Sequence, residues 1–197
     1  MNTNNNSNQN IKSLAGKTLV YIGQETDDIY NNSVIYITEN TSSGSEGIII
    51  NKLLFATAAL ECKSPQSNNE TELKNIYEEL YQGGPENPAH GFVLFPKDEY
   101  KTNDPYAKIN GEIAISTSFG ILQEILDGLG PNKKIIAMGH CKWNSGELEW
   151  EIFNNKWLVI QTDLNLMFET KFDDKWEKAK NLSNIDMRSY MRQSGTA

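Results

Sequence analysis

SVIYITENTSSGSEGIIINK, residues 33–52, decides the fold. Ser33–Glu39 alternates and is rich in β-branched residues, the pattern of a strand. Thr41-Ser42-Ser43-Gly44-Ser45 carries turn chemistry, and Gly47–Asn51 returns as a continuous apolar run suited to a buried strand. Two such runs joined by a short Gly-containing loop make a hairpin, so antiparallel sheet enters the fold early.

Working outward, Thr18–Ile22 reads as a strand before the hairpin. After it, Leu53–Leu60 predicts a helix, 63–69 a loop, and Glu70–Leu80 a second helix with Leu73, Ile76, Tyr77 and Leu80 at 3-4-3 spacing. Gly83-Gly84-Pro85 breaks that pattern. Gly91–Phe95 and Ile109–Ser116 predict strands separated by a polar loop. Ser118 predicts an N-cap for a helix over Phe119–Asp127, whose apolar stripe is Ile121, Leu122, Ile125 and Leu126 and whose stop is Gly128. Strand Lys134–Gly139, helix Ser145–Phe153, strand Trp157–Gln161 and helix Asp174–Asn181 complete the series. Hairpins interleaved with strand–helix–strand units predict an α+β or mixed α/β fold in one domain. That domain is expected over residues 14–187, between an Asn-rich disordered tail over 1–13 and a flexible tail over 188–197.

Charge narrows the function classes. The 197 residues carry a net charge of −8, and residues 61–107 hold nine acidic against four basic side chains. Of the 18 basic residues only Arg188 and Arg192 are arginine, the preferred bidentate reader of phosphate and guanine. Both facts argue against direct nucleic-acid binding. No apolar run approaches the roughly 18 residues of a membrane span, and MNTNNNSNQN lacks the regions of a signal peptide, so a cytoplasmic location is expected. Cys62 and Cys141 show no framework or metal-ligand spacing, which predicts free thiols, no metal and no cofactor.

Several residues carry possible chemistry. Gly139-His140-Cys141-Lys142-Trp143 falls where a strand should end, the usual ligand edge of an α/β fold. Cys141 is a conceivable thiolate nucleophile with His90 or His140 as base, although neighbours in a strand face opposite ways and the bland reading is a packed thiol. Trp143 is read as a hydrophobic staple to Leu148, with Asn144 and Glu147 imitating a capping box. Glu147, Glu149 and Glu151 are read as a solvated face rather than an acid–base pair. Gly83-Gly84-Pro85 is either an anion-binding nest or a turn, and Thr117-Ser118 either an anion site or a cap. Lys52 ends the strongest early motif and either faces a cleft or snorkels outward.

The chain resembles the YqgE/AlgH family. The resemblance rests on SVIYITEN (33–40), GIIINK (47–52), GGP (83–85), HGFVLF (90–95), STSFGIL (116–122), AMGHCKWNSGELEWEIFNNKWL (137–158) and DLNLMF (163–168), in order, with a Trp176…Ile185-Asp186 ending. It implies a single domain with a small barrel-like, branched β-sheet core surrounded by helices, in a cytosolic bacterial protein. The family's common label is transcriptional regulator, and no catalytic residue set accompanies it. Members often carry basic residues where this chain has Asn31, Asn32, Phe119-Gly120 and His90, and a small residue where it has Cys141.

The expected function is therefore a non-enzymatic regulatory or binding protein, with any transcriptional role indirect. Its cleft would be bordered by Lys52, Gly83, Gly84, Pro85, His90, Thr117, Ser118, His140, Cys141 and Trp143 and would hold a small molecule or a protein partner. The alternative is a small cysteine-dependent enzyme using Cys141 with His90 or His140.

Overall fold

The computed structural model describes residues 13–24, 29–60, 76–101, 104 and 107–182, with the side chains of 56–60, 76 and 77 left aside. Among the described residues, ten strands form one branched sheet. They are β1 (Lys17–Tyr21), β2 (Val34–Thr41), β3 (Gly44–Ile49), β4 (Leu53–Leu60), β5 (Ile76–Gln82), β6 (Glu86–Pro96), β7 (Lys108–Asn110), β8 (Ile113–Ser116), β9 (Ile135–Asn144) and β10 (Trp157–Gln161). The main path runs β10-β1-β2-β3-β9-β6-β8-β7. β5 joins it as a branch, parallel to β9 and antiparallel to β4. The hairpin of residues 33–52 is present as β2–β3, with a register shift between Ile37 and Glu39.

The sheet curls into a half-barrel because its far end ties back to β2. The Tyr36 hydroxyl donates to the Asn110 carbonyl (2.8 Å), and Asn110 Nδ2 donates to the carbonyls of Ile37 and Thr38 (3.2 Å each). Inside the curl lies a core of Val20, Val34, Tyr36, Ile48, Leu94, Ile135 and their neighbours. Residues 164–182 pack into the same core. They comprise a π-turn (Asn165–Glu169), a 3₁₀ turn (Phe172–Asp174) and a helix, α3 (175–182). Lys175 Nζ donates to the Ile50 carbonyl (2.9 Å) and Trp176 Nε1 to the Tyr21 carbonyl (2.8 Å), which pins α3 to the sheet.

Two helices cover the outer face. α1 (Phe119–Leu126) packs Ile121 and Ile125 on Val93, Phe95 and Ile136. Ser118 caps it as the sequence predicts, its hydroxyl accepting from the Ile121 N–H. α2 (Glu147–Phe153) places Leu148 against Leu19, Ile35, Ile37, Cys141, Trp143 and Trp157. The sheet is thus buried on both sides for much of its width, which is why its strands read as continuous apolar runs. Single-domain α+β architecture with a barrel-like branched sheet holds. The helices flank two parts of the sheet and fill its hollow rather than surrounding it.

Two predicted helices are corrected. Leu53–Leu60 is strand β4, and the described part of Glu70–Leu80 is strand β5. LLFATAAL has good helix formers, but pairing of β4 with β5, which is itself held on its other edge by β9, overrides that weak preference. Leu80 and Tyr81 are neighbours facing different cores, so β5 lacks the alternation that marks a half-buried strand. Ile109–Ser116 is two strands folded at Gly111, whose φ is 62°. The Lys134–Gly139 strand extends to Asn144, and α2 begins at Glu147 rather than Ser145. The segment 63–69, the start of the predicted 70–80 helix, and the tails at 1–12 and 188–197 lie outside the described residues.

Candidate functional site: the β6 bulge groove

The site begins with a crossing of backbones. Gly83 N–H donates to the Met138 carbonyl (2.7 Å), and Ile49 N–H donates to the Gly83 carbonyl (2.8 Å). A Cβ on Gly83 would stand 2.3 Å from the Gly139 oxygen, and one on Gly84 2.2 Å from the His140 carbonyl carbon. Real side chains do not tolerate such distances, so glycine is required for the close approach. This accounts for Gly83-Gly84 as a strand crossing, with its Gly83 N–H already committed to the ladder. Gly139 has a φ of 73°. Before it, Ile135 and Ala137 face the inner core; after it, Cys141 and Trp143 face the outer one under α2.

Beyond the crossing β6 buckles. Glu86 pairs with His140 and Gly91 with Met138, so residues 87–90 stand opposite Gly139 alone. Asn87, at φ 46°, starts the bulge, and Pro88 within it has no N–H to offer the ladder. The bulge overhangs an open groove of about 760 Å³ lined by Asn87, Pro88, Ala89, His90, Phe92, Thr117, His140, Lys142, Lys108 and Glu46. Phe92 sits edge-on between two imidazoles, 4.9 Å from His90 and 5.7 Å from His140 between ring centroids. His140 is 8% exposed, and its buried Nδ1 has no hydrogen-bond partner among the described residues. Phe92 and Thr117 also line an adjoining apolar pocket of about 210 Å³, walled by Leu80, Val93, Leu122, Ile136 and Met138 at the start of α1.

The residues singled out in sequence therefore divide. His90, Thr117 and His140 meet in the groove, and Ser118 borders the pocket beside it. Pro85 is exposed between the crossing and the bulge. Cys141 and Trp143 point through the sheet to the α2 side, as strand alternation requires of the neighbours of His140 and Lys142. The Cys141 thiol is fully buried and donates to the Gly83 carbonyl at 3.5 Å. Burial pushes it up to about 12 despite opposing help from Tyr30 and Lys52. Lys52 donates to the Ile29 carbonyl on that same side.

Trp143 is an architectural residue. It stacks on Tyr30 and meets Trp157 edge-on, and both indole N–H groups donate to one Glu151 oxygen (2.9 and 2.7 Å). Glu151 also holds Lys156 at 3.1 Å. Glu147 accepts from the Asn144 N–H (2.8 Å), half of the predicted capping box. The other half is absent: Gly146, at φ 77°, occupies the N-cap position. Glu149 accepts from Asn40 Nδ2 (3.0 Å), so each of the three glutamates has a structural partner.

Sequence reading missed Phe92, Lys108, Lys142 and Glu46 as groove residues. The Asn87-Pro88 dipeptide was the available signal, because it marks chain that leaves regular structure. Among the described residues no group of three His, Cys, Asp or Glu gathers at metal-binding range, and no helix is long and apolar enough to cross a membrane.

Comparison with known proteins places this architecture. The family model described as AlgH-like matches residues 18–188. A UPF0301 protein of Vibrio cholerae is 33% identical over 174 residues, covering 84% of this chain and 89% of the relative. One from Pseudoalteromonas translucida is 28% identical over 95% of this chain and 100% of its own. The solution structure of the AlgH protein from Pseudomonas aeruginosa superposes with a TM-score of 0.68 at 26% identity, covering 95% of this chain and 97% of that one. The chain belongs to the AlgH-like family.

Proposed function

Starting from that membership, we propose that this AlgH-like protein is a non-enzymatic binding protein that holds a small molecule in the groove beneath the β6 bulge. The observation carrying this reading is the bulge itself: residues 87–90 stand out from the ladder over a concavity whose lining His90, Thr117 and His140 share. The groove volume of about 760 Å³ falls within the usual range for small-molecule sites. A cysteine-based reaction draws no support from this arrangement, because Cys141 faces away from both His90 and His140. Regulation would follow from occupancy of the groove rather than from contact with nucleic acid, in keeping with the acidic composition.

Native mass spectrometry of the purified full chain tests the reading. The wild-type protein should retain a small molecule. Thr117→Trp, which places a large ring at the exposed mouth of the groove, should fold with an unchanged melting profile and retain none. A wild-type protein without added mass, or a variant that retains the same ligand equally, would overturn it.

A further inference from the structure

Glycine weakens the interior of a strand, because it loses the most backbone freedom on folding and packs no side chain. Close backbone approach requires it at Gly83, Gly84 and Gly139. Gly91 is different. It pairs with Met138 in the β6–β9 ladder, and its φ is not positive. A Cβ at 91 would meet only the Met138 sulfur, at 3.7 Å, an ordinary contact. Neither a turn nor a crossing therefore demands glycine here. The space left open belongs to the apolar pocket of about 210 Å³, which Gly91 lines with Met138, Phe92, Leu122 and Ile136. A strand glycine of this kind marks a place where a ligand comes close to the backbone.

The lining sets the chemistry. Among the described residues no charged side chain borders the pocket. Its polar rim is Ser116, Thr117 and Ser118. Ser116 Oγ donates to the Asp104 carboxylate, and Ser118 Oγ accepts from the Ile121 N–H. An anion entering here would lose its water and find a carboxylate, not a cation, behind the rim. The occupant is therefore uncharged. A dry cavity of about 150 Å³ lined by aliphatic and aromatic side chains holds benzene, so this pocket admits one ring with a small substituent. Phe92 and the Met138 sulfur offer that ring contacts an aliphatic body does not share.

Resting on the binding reading above, we infer that the ligand carries an uncharged aromatic ring, and that the ring occupies the pocket beside Gly91. Phe92 and Thr117 line both the pocket and the groove, so a ring seated here directs its substituent into the groove.

p-Cresol, cyclohexanol and benzoate test the assignment, each titrated into the isotopically labelled full chain and followed by two-dimensional NMR. p-Cresol should move the amides of Gly91, Thr117, Phe119 and Met138 on one isotherm. It should bind about tenfold tighter than benzoate and about threefold tighter than cyclohexanol. Equal binding of benzoate would overturn the exclusion of charge, and equal binding of cyclohexanol the preference for an aromatic ring. Shifts confined to other residues would overturn the site.

Two variants test the glycine. Gly91→Ala should melt no lower than wild type and bind p-cresol about threefold more weakly. Gly91→Val, which fills the pocket, should raise the melting temperature by about 2–4 °C and abolish the p-cresol shifts. A lower melting temperature for Gly91→Ala would show that the backbone needs glycine and would overturn the argument, as would undiminished p-cresol binding by either variant. If wild type and Gly91→Ala retain the same copurified molecule equally while p-cresol moves none of the four amides, the ring site falls and the binding reading stands. If nothing is retained and no amide moves, both fall.

Discussion

Gly84 and Gly139 meet backbone to backbone: a Cβ on Gly139 would lie 2.5 Å from the Gly84 carbonyl oxygen. That contact lets the chain leaving β5 cross β9 and enter β6, and so it sets the position of the bulge over the groove. Gly139→Ala adds a clash with rigid backbone to an unfavourable positive φ. It should lower stability by about 2–4 kcal/mol, read from urea unfolding. A loss below about 0.5 kcal/mol would show that the crossing relaxes easily.

Glu151 gathers Trp143, Trp157 and Lys156. Glu151→Leu strands two buried indole donors and should cost about 2–4 kcal/mol. Glu151→Gln retains an acceptor and should cost less than half as much. Urea melts monitored by tryptophan fluorescence distinguish the two. Equal losses would mean that the charge, not acceptance from the indoles, carries the effect.

Cys141 should be chemically inert in the folded protein. Its thiol stands at about 12 against an ordinary 9.0, which reduces the thiolate at neutral pH about a thousandfold before access is considered. Iodoacetamide labelling resolved by peptide mass spectrometry should leave the Cys141 peptide unmodified in buffer and modify it in urea. Rapid native labelling would restore the cysteine-enzyme alternative.

Lys175 makes stability depend on pH. Burial lowers its ammonium from 10.5 to about 8, with Glu79 opposing the shift and the Tyr81 ring 5.2 Å away. Between those values the unfolded chain binds the extra proton, so this group's contribution rises as pH rises from about 8 toward 10.5. Below pH 8 the amine is charged in both states and the penalty of burying it is fully present. The span corresponds to about 3 kcal/mol. Urea midpoints at pH 7.5 and 9.5 should show wild type gaining on Lys175→Met across this interval. Parallel behaviour of the two proteins would refute the assignment.

Much of the fold is legible along the chain. The 33–52 hairpin, the Ser118 cap and the strands at 17–21 and 157–161 each declare themselves through alternation, capping or β-branched composition. These signals are local, and so they survive without knowledge of neighbours. β4 and β5 do not announce themselves, because their pairing lies between segments distant in sequence and β5 presents apolar residues to two cores at once.

The candidate site divides along the same line. Alternation alone separates His140 from Cys141, and the sequence establishes which residues can carry charge, cap a helix or permit a tight approach. Only tertiary structure decides that Thr117 meets His140, that Phe92 stands between two imidazoles, and that Lys142 borders the same groove. A groove is made by strands brought together by ladder pairing and by the bulge that breaks it. Both depend on contacts across the sheet, which no window of neighbouring residues contains.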